Sequence, residues 1–224
     1  MRSRIAALAL TMSLGIAAPA SASTQFTFIS PGTVTAFGYY VGPYTGYQGA
    51  PANNVIDKLN CVDFFHHVVT SPPSVWDANL TNLGSNTGIG TVTRFNGLAL
   101  YQQAAWLSKQ FATAPTSQYG NIQAAIWTLF VPQSGPLPAQ INPSPNTWLA
   151  QAAVGYLTLD VANYWVVSDV RTHTAADADA VQEFIIYDDT FNPNVTPTPE
   201  PATLMLVATG IAGIAGMRIR RRKK

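Results

Sequence analysis

The chain has 224 residues, 47% of them hydrophobic and 10% charged, with a formal net charge of +1. That near-neutral total hides an asymmetry: six of the twelve Lys and Arg residues lie in 218–224 and two in 2–4, which leaves Lys58, Arg94, Lys109 and Arg171 against ten acidic side chains in residues 23–191, a net charge of −6. Such a balance excludes nucleic-acid binding through a basic patch, and a single cysteine, Cys61, excludes an internal disulfide.

Arg2 and Arg4, the apolar run from Ile5 to Ala18 and the small residues Ala20-Ser21-Ala22 predict a signal peptide over residues 1–22, removed by signal peptidase before Ser23. Residues 23–191 form the expected ectodomain, long enough for one substantial core. It opens with apolar residues at Phe26, Phe28, Val34, Phe37, Tyr39 and Val41 between Gly-Pro punctuation, which reads as short strands. Residues 44–54 are rich in Gly, Pro and Asn and read as a loop, and 60–70 as a strand-like run opened by Cys61. Residues 71–93 read as turns anchored by Trp76.

Leu100, Ala104, Leu107 and Phe111 recur at helical intervals and predict a helix over 99–111. Asn121 is the expected N-cap of a second helix with a buried stripe of Ile122, Ala125, Ile126 and Leu129, stopped by Pro132. A third helix is expected over 147–156, and closing strands over 164–170 and 183–187. Strands, then helices, then strands predict an α+β fold, a β-sandwich or barrel-like scaffold with a helical insertion. Residues 192–198 are a Pro/Thr linker.

The last segment, 199–224, has three parts in order: Pro199-Glu200-Pro201, an apolar stretch over 202–217, and a basic cluster of Arg218, Arg220, Arg221, Arg222, Lys223 and Lys224 over 218–224. A short apolar helix followed by basic residues is held with those residues on the cytoplasmic side, which predicts a single C-terminal transmembrane helix. The tripartite pattern resembles the PEP-CTERM sorting signal of Gram-negative bacteria. That resemblance implies transient inner-membrane anchoring, cleavage near the motif by an exosortase, and delivery to the cell surface or its exopolysaccharide matrix.

Within the ectodomain, Asn60-Cys61-Val62-Asp63-Phe64 and Ile122-Gln123-Ala124-Ala125-Ile126-Trp127, with the Ala-Ala-Trp-Leu helix between them, resemble the thioester domains of bacterial surface adhesins. The resemblance implies a side-chain bond between Cys61 and Gln123, no cofactor and no turnover. A thiolate attacks a carboxamide carbon, expels ammonia and leaves an acyl thioester that a partner amine or glycan hydroxyl opens. Gln123 is expected in the first turn of its helix, where free N–H groups polarise its carbonyl. Phe64, Phe65, Trp106 and Trp127 are expected to exclude water.

If 60–70 is a strand, Asp63 and His67 share a face with Cys61, which makes them candidate assisting groups and His67 a candidate proton shuttle. His173 is the distant histidine that a thiol hydrolase would need. Asp177, Asp179, Asp188 and Asp189 lack the glycine turn of a calcium loop and read as solvated acids, so no metal is expected. The competing reading is a non-covalent matrix or carbohydrate-binding protein acting through exposed Tyr39, Tyr40, Tyr44 and Tyr47.

Overall fold

Six strands close into an antiparallel barrel in a computed structural model that describes residues 23–49, 55–141 and 147–187. The predicted signal peptide, linker and sorting tail lie outside the described residues. The strands are β1 (Thr24–Ser30), the short β2 (Thr35–Ala36) and β3 (Tyr39–Tyr40), β4 (Tyr44–Gln48), β5 (Val55–Cys61), β6 (Val75–Asn82), β7 (Tyr164–Asp169) and β8 (Phe184–Tyr187). Around the barrel the order is β1-β4-β5-β8-β7-β6, while β2 and β3 pair as a separate hairpin. The helices α1 (Leu98–Gln110), α2 (Tyr119–Ser134) and α3 (Thr147–Gly155) are inserted between β6 and β7. This is the expected barrel-like scaffold with a helical insertion. Among the described residues no helix is long and apolar enough to cross a membrane.

Strand alternation builds two cores, because successive side chains point to opposite faces. Phe26, Phe28, Tyr44, Leu59, Cys61, Trp76, Ala78, Val167, Phe184 and Ile186 share one cluster that fills the barrel. Their neighbours Val166 and Ile185 face outward into a second cluster with Tyr101, Leu107, Ile122, Ile126 and Phe130 from the helices. The second helix serves both, sending Ala124 and Trp127 to the first cluster and Ile122, Ala125 and Ile126 to the second.

Four expectations need correction. Residues 44–48 are a barrel strand rather than loop: Gly46 lies so close to its neighbours that a Cβ there would sit 2.5 Å from Leu59 Cδ1 and 2.9 Å from the Thr27 carbonyl oxygen. Glycine at this point marks close backbone approach, not a turn. Residues 75–82 are likewise a strand, paired on both sides by β1 and β7, with Trp76 and Ala78 turned inward on either side of the exposed Asp77. The run after Cys61 leaves the sheet, because the Asp63 carboxylate accepts the Phe65 N–H at 3.0 Å and closes an Asx turn. Finally, α2 starts two residues before Asn121, behind a 3-10 turn at Thr116–Gln118, and carries Pro132 within its last turn instead of ending there.

Candidate functional site around Cys61

Cys61 is the last residue of β5 and points into the barrel core; Gln123 and Trp127 lie one helical turn apart on α2, on the face pressed against it. The fold therefore brings together side chains 62 residues apart in sequence. The Gln123 Nε2 donates to the Cys61 carbonyl oxygen at 2.8 Å, and both residues are 0% exposed. The indole N–H of Trp127 donates to Cys61 Sγ at 3.2 Å. The thiol in turn donates to the Asp63 carbonyl oxygen at 3.2 Å. The other end of the carboxamide, Gln123 Oε1, is buried without a hydrogen-bond partner among the described residues.

Burial pushes the Cys61 thiol well above its usual range; the Trp127 donor pulls it down and the Asp63 charge raises it further. The sulfur thus rests as a neutral thiol in an apolar setting. Gln123 is the fifth residue of α2, past the first turn, and the first N–H of the helix is already bonded to the Thr116 carbonyl. The expected activation by free helix N–H groups does not arise from this placement.

Asp63 is 1% exposed, and its two functions separate. Its backbone carbonyl receives the Cys61 thiol and also the Gln182 Nε2 at 2.7 Å. Its carboxylate faces away, with Oδ2 2.8 Å from Arg94 Nε and 2.6 Å from His66 Nδ1. Arg94 continues the network to Asp177 Oδ1 at 2.9 Å, and its backbone N–H donates to the buried Glu183 at 2.7 Å. This ionic cluster fixes the turn that carries the Asp63 carbonyl. Because the strand ends at Cys61, the shared-face argument for His67 fails: His67 is exposed, and His66 is the histidine joined to Asp63. His173 bonds the Thr93 carbonyl at 2.8 Å.

Aromatic side chains screen the junction, though not all the expected ones. Phe64 and Trp127 meet edge to face at 5.0 Å, and Tyr39 packs on Phe64 at 5.0 Å. Phe65 is 42% exposed and only backs Phe64, while Trp106 belongs to the helical core against Gly155. A cavity of about 380 Å³ opens on the far side of this screen, lined by Tyr39, Tyr40, Phe64, His67, Trp127 and Gln182. Tyr44, expected as an exposed aromatic, is buried in the barrel and donates its hydroxyl to the Tyr40 carbonyl at 3.1 Å. Gln182 and Arg94 gave no local sequence signal, since each reaches Asp63 from a distant segment, Gln182 over 119 residues.

No curated protein and no solved structure matches the chain at a significant level. The PEP-CTERM protein-sorting motif matches residues 197–222, which include Pro199-Glu200-Pro201, the apolar stretch and most of the basic cluster. The chain thus carries the PEP-CTERM sorting motif, the mark of an exported protein that is processed by exosortase and transiently anchored in the membrane of a Gram-negative bacterium.

Proposed function

We propose that Cys61 and Gln123 join in an internal thioester, and that the exported chain uses this bond once, to attach covalently to an amine or hydroxyl of a surface or matrix partner. The observation that carries the reading is the seating of the Gln123 carboxamide on the Cys61 backbone, 2.8 Å from Nε2 to the carbonyl oxygen, in a fully buried junction. Fixing both reactants in one place supplies the effective concentration that a weak amide electrophile needs.

In the forming step Cys61 Sγ bonds to the Gln123 side-chain carbon, the carbon–nitrogen bond breaks, and the thiol proton leaves with the nitrogen as ammonia. In the attaching step a partner amine or hydroxyl adds to the same carbon, the carbon–sulfur bond breaks, and the partner's proton passes to the sulfur. The Trp127 N–H, already on Sγ at 3.2 Å, stabilises negative charge there in both directions. The cavity beyond Phe64 and Trp127 gives a partner group an approach, and these rings keep bulk water from the bond until it arrives.

Thiol titration of the purified protein in denaturant tests the reading. A thioester-bearing chain shows no reactive thiol until hydroxylamine is added. A full equivalent of free Cys61 thiol in freshly unfolded protein rules the reading out.

A further inference from the structure

A second cavity, of about 460 Å³, lies on the outer wall of the barrel, on the opposite face of β5 from Cys61. Lys58 and Asn60 of β5 form one side, Lys109 at the end of α1 another, and Tyr119, Tyr164 and Tyr187 contribute rings. The volume is that of a small-molecule site.

Charge distinguishes this place from the rest of the ectodomain. Of the four cationic side chains in residues 23–191, Arg94 is paired with Asp63 and Asp177, and Arg171 with Asp169. Lys58 and Lys109 have no ion pair among the described residues, and both line this cavity. One carboxylate, Asp160, is also present, so two ammonium groups face one acid in an otherwise acidic body. A second observation is independent of charge: Asn60 is 4% exposed, and its Oδ1 is buried with no hydrogen-bond partner among the described residues. Its Nδ2 is already committed to the Lys58 and Ile185 carbonyls, which leaves Oδ1 as the unpaired acceptor of a residue that lines the cavity. A buried acceptor left unpaired costs free energy that a ligand donor recovers.

We infer that this cavity binds an acidic sugar, a uronate-type ring whose carboxylate sits between Lys58 and Lys109 and one of whose hydroxyls donates to Asn60 Oδ1. The tyrosines suit a sugar ring because its C–H face packs on aromatic surface while its rim hydrogen-bonds. Tyr164 and Tyr187 meet edge to face at 5.0 Å, as do Phe111 and Tyr119 at 4.9 Å, and both pairs line the cavity with the two lysines. The site shares no side chain with the Cys61–Gln123 junction and stands whether or not the thioester forms.

Calorimetric titration of the purified protein with trigalacturonate tests this, with neutral galactotriose as control. Trigalacturonate binds, more weakly as salt rises, and Lys58→Ala with Lys109→Ala weakens it by about tenfold or more, the loss expected of charge-assisted hydrogen bonds. Both lysines are exposed, so the double variant retains the wild-type melting temperature. Cys61→Ala leaves the affinity unchanged. Absence of trigalacturonate binding, equal affinity for galactotriose, or an unaffected double variant overturns the inference.

Discussion

Replacing Glu183 by Gln removes a titration that the fold forces on a buried acid. Glu183 is 1% exposed, and burial pushes its carboxyl up to about 7 against 4.5 for a free glutamate, even though Arg94 N–H, Ser168 and Tyr101 all donate to it. Below pH 4.5 both folded and unfolded chains hold the proton, and the group costs nothing. Between 4.5 and 7 the unfolded chain ionises first, so stability falls as pH rises, and above 7 the loss is complete. At about 1.4 kcal/mol per pH unit the full loss is about 3 kcal/mol. Glu183→Gln mimics the protonated acid: its oxygen keeps the Arg94 and Ser168 donors, which share Oε1 in the wild type. Urea denaturation across that pH range measures the difference in stability between the two proteins, which cancels every other titrating group. The difference shifts by about 3 kcal/mol in favour of the variant from acid to neutral pH. A difference that stays constant with pH means that Glu183 titrates alike in the folded and unfolded chains, contrary to its burial.

Other perturbations follow from single contacts. Gly46→Ala drives a methyl against Leu59 and the Thr27 carbonyl and lowers unfolding stability by about 1–3 kcal/mol, measured by urea denaturation. Arg94→Met leaves the Asp63 carboxylate buried without its guanidinium and costs about 3–5 kcal/mol, which differential scanning calorimetry reads as a large drop in Tm. Trp127→Phe keeps the ring that packs on Phe64 but removes the donor to the sulfur; methylamine opens the thioester about tenfold more slowly, followed by mass against time.

Periodicity made much of this fold legible. The predicted helix over 99–111 is α1 at Leu98–Gln110, and the strand–helix–strand order is the barrel with its insertion. Glycine and asparagine misled where they stand in strands: Gly46 is demanded by close packing, and the polar residues of β6 are the outward half of an alternation whose inward half is Trp76 and Ala78. The meeting of Cys61 with Gln123 was legible only through the resemblance to thioester domains, because local apolarity marks both segments as buried without saying which of the two cores either joins. What lay out of reach were the polar contacts that fix the turn after Cys61. Arg94 reaches Asp63 and Gln182 reaches its carbonyl from distant loops, and no period or turn signal encodes such pairings. The strand assumed beyond Cys61 failed for a local reason, since the Asp63 side chain bends the backbone into an Asx turn and puts His66, not His67, on the carboxylate.

Intact mass of the purified protein before and after methylamine, beside Cys61→Ala, reads the bond between Cys61 and Gln123 itself. With the thioester in place the wild type is lighter than its sequence by one ammonia and gains one methylamine at Gln123, and the variant does neither. A wild type at its full sequence mass that takes up no methylamine contradicts the thioester.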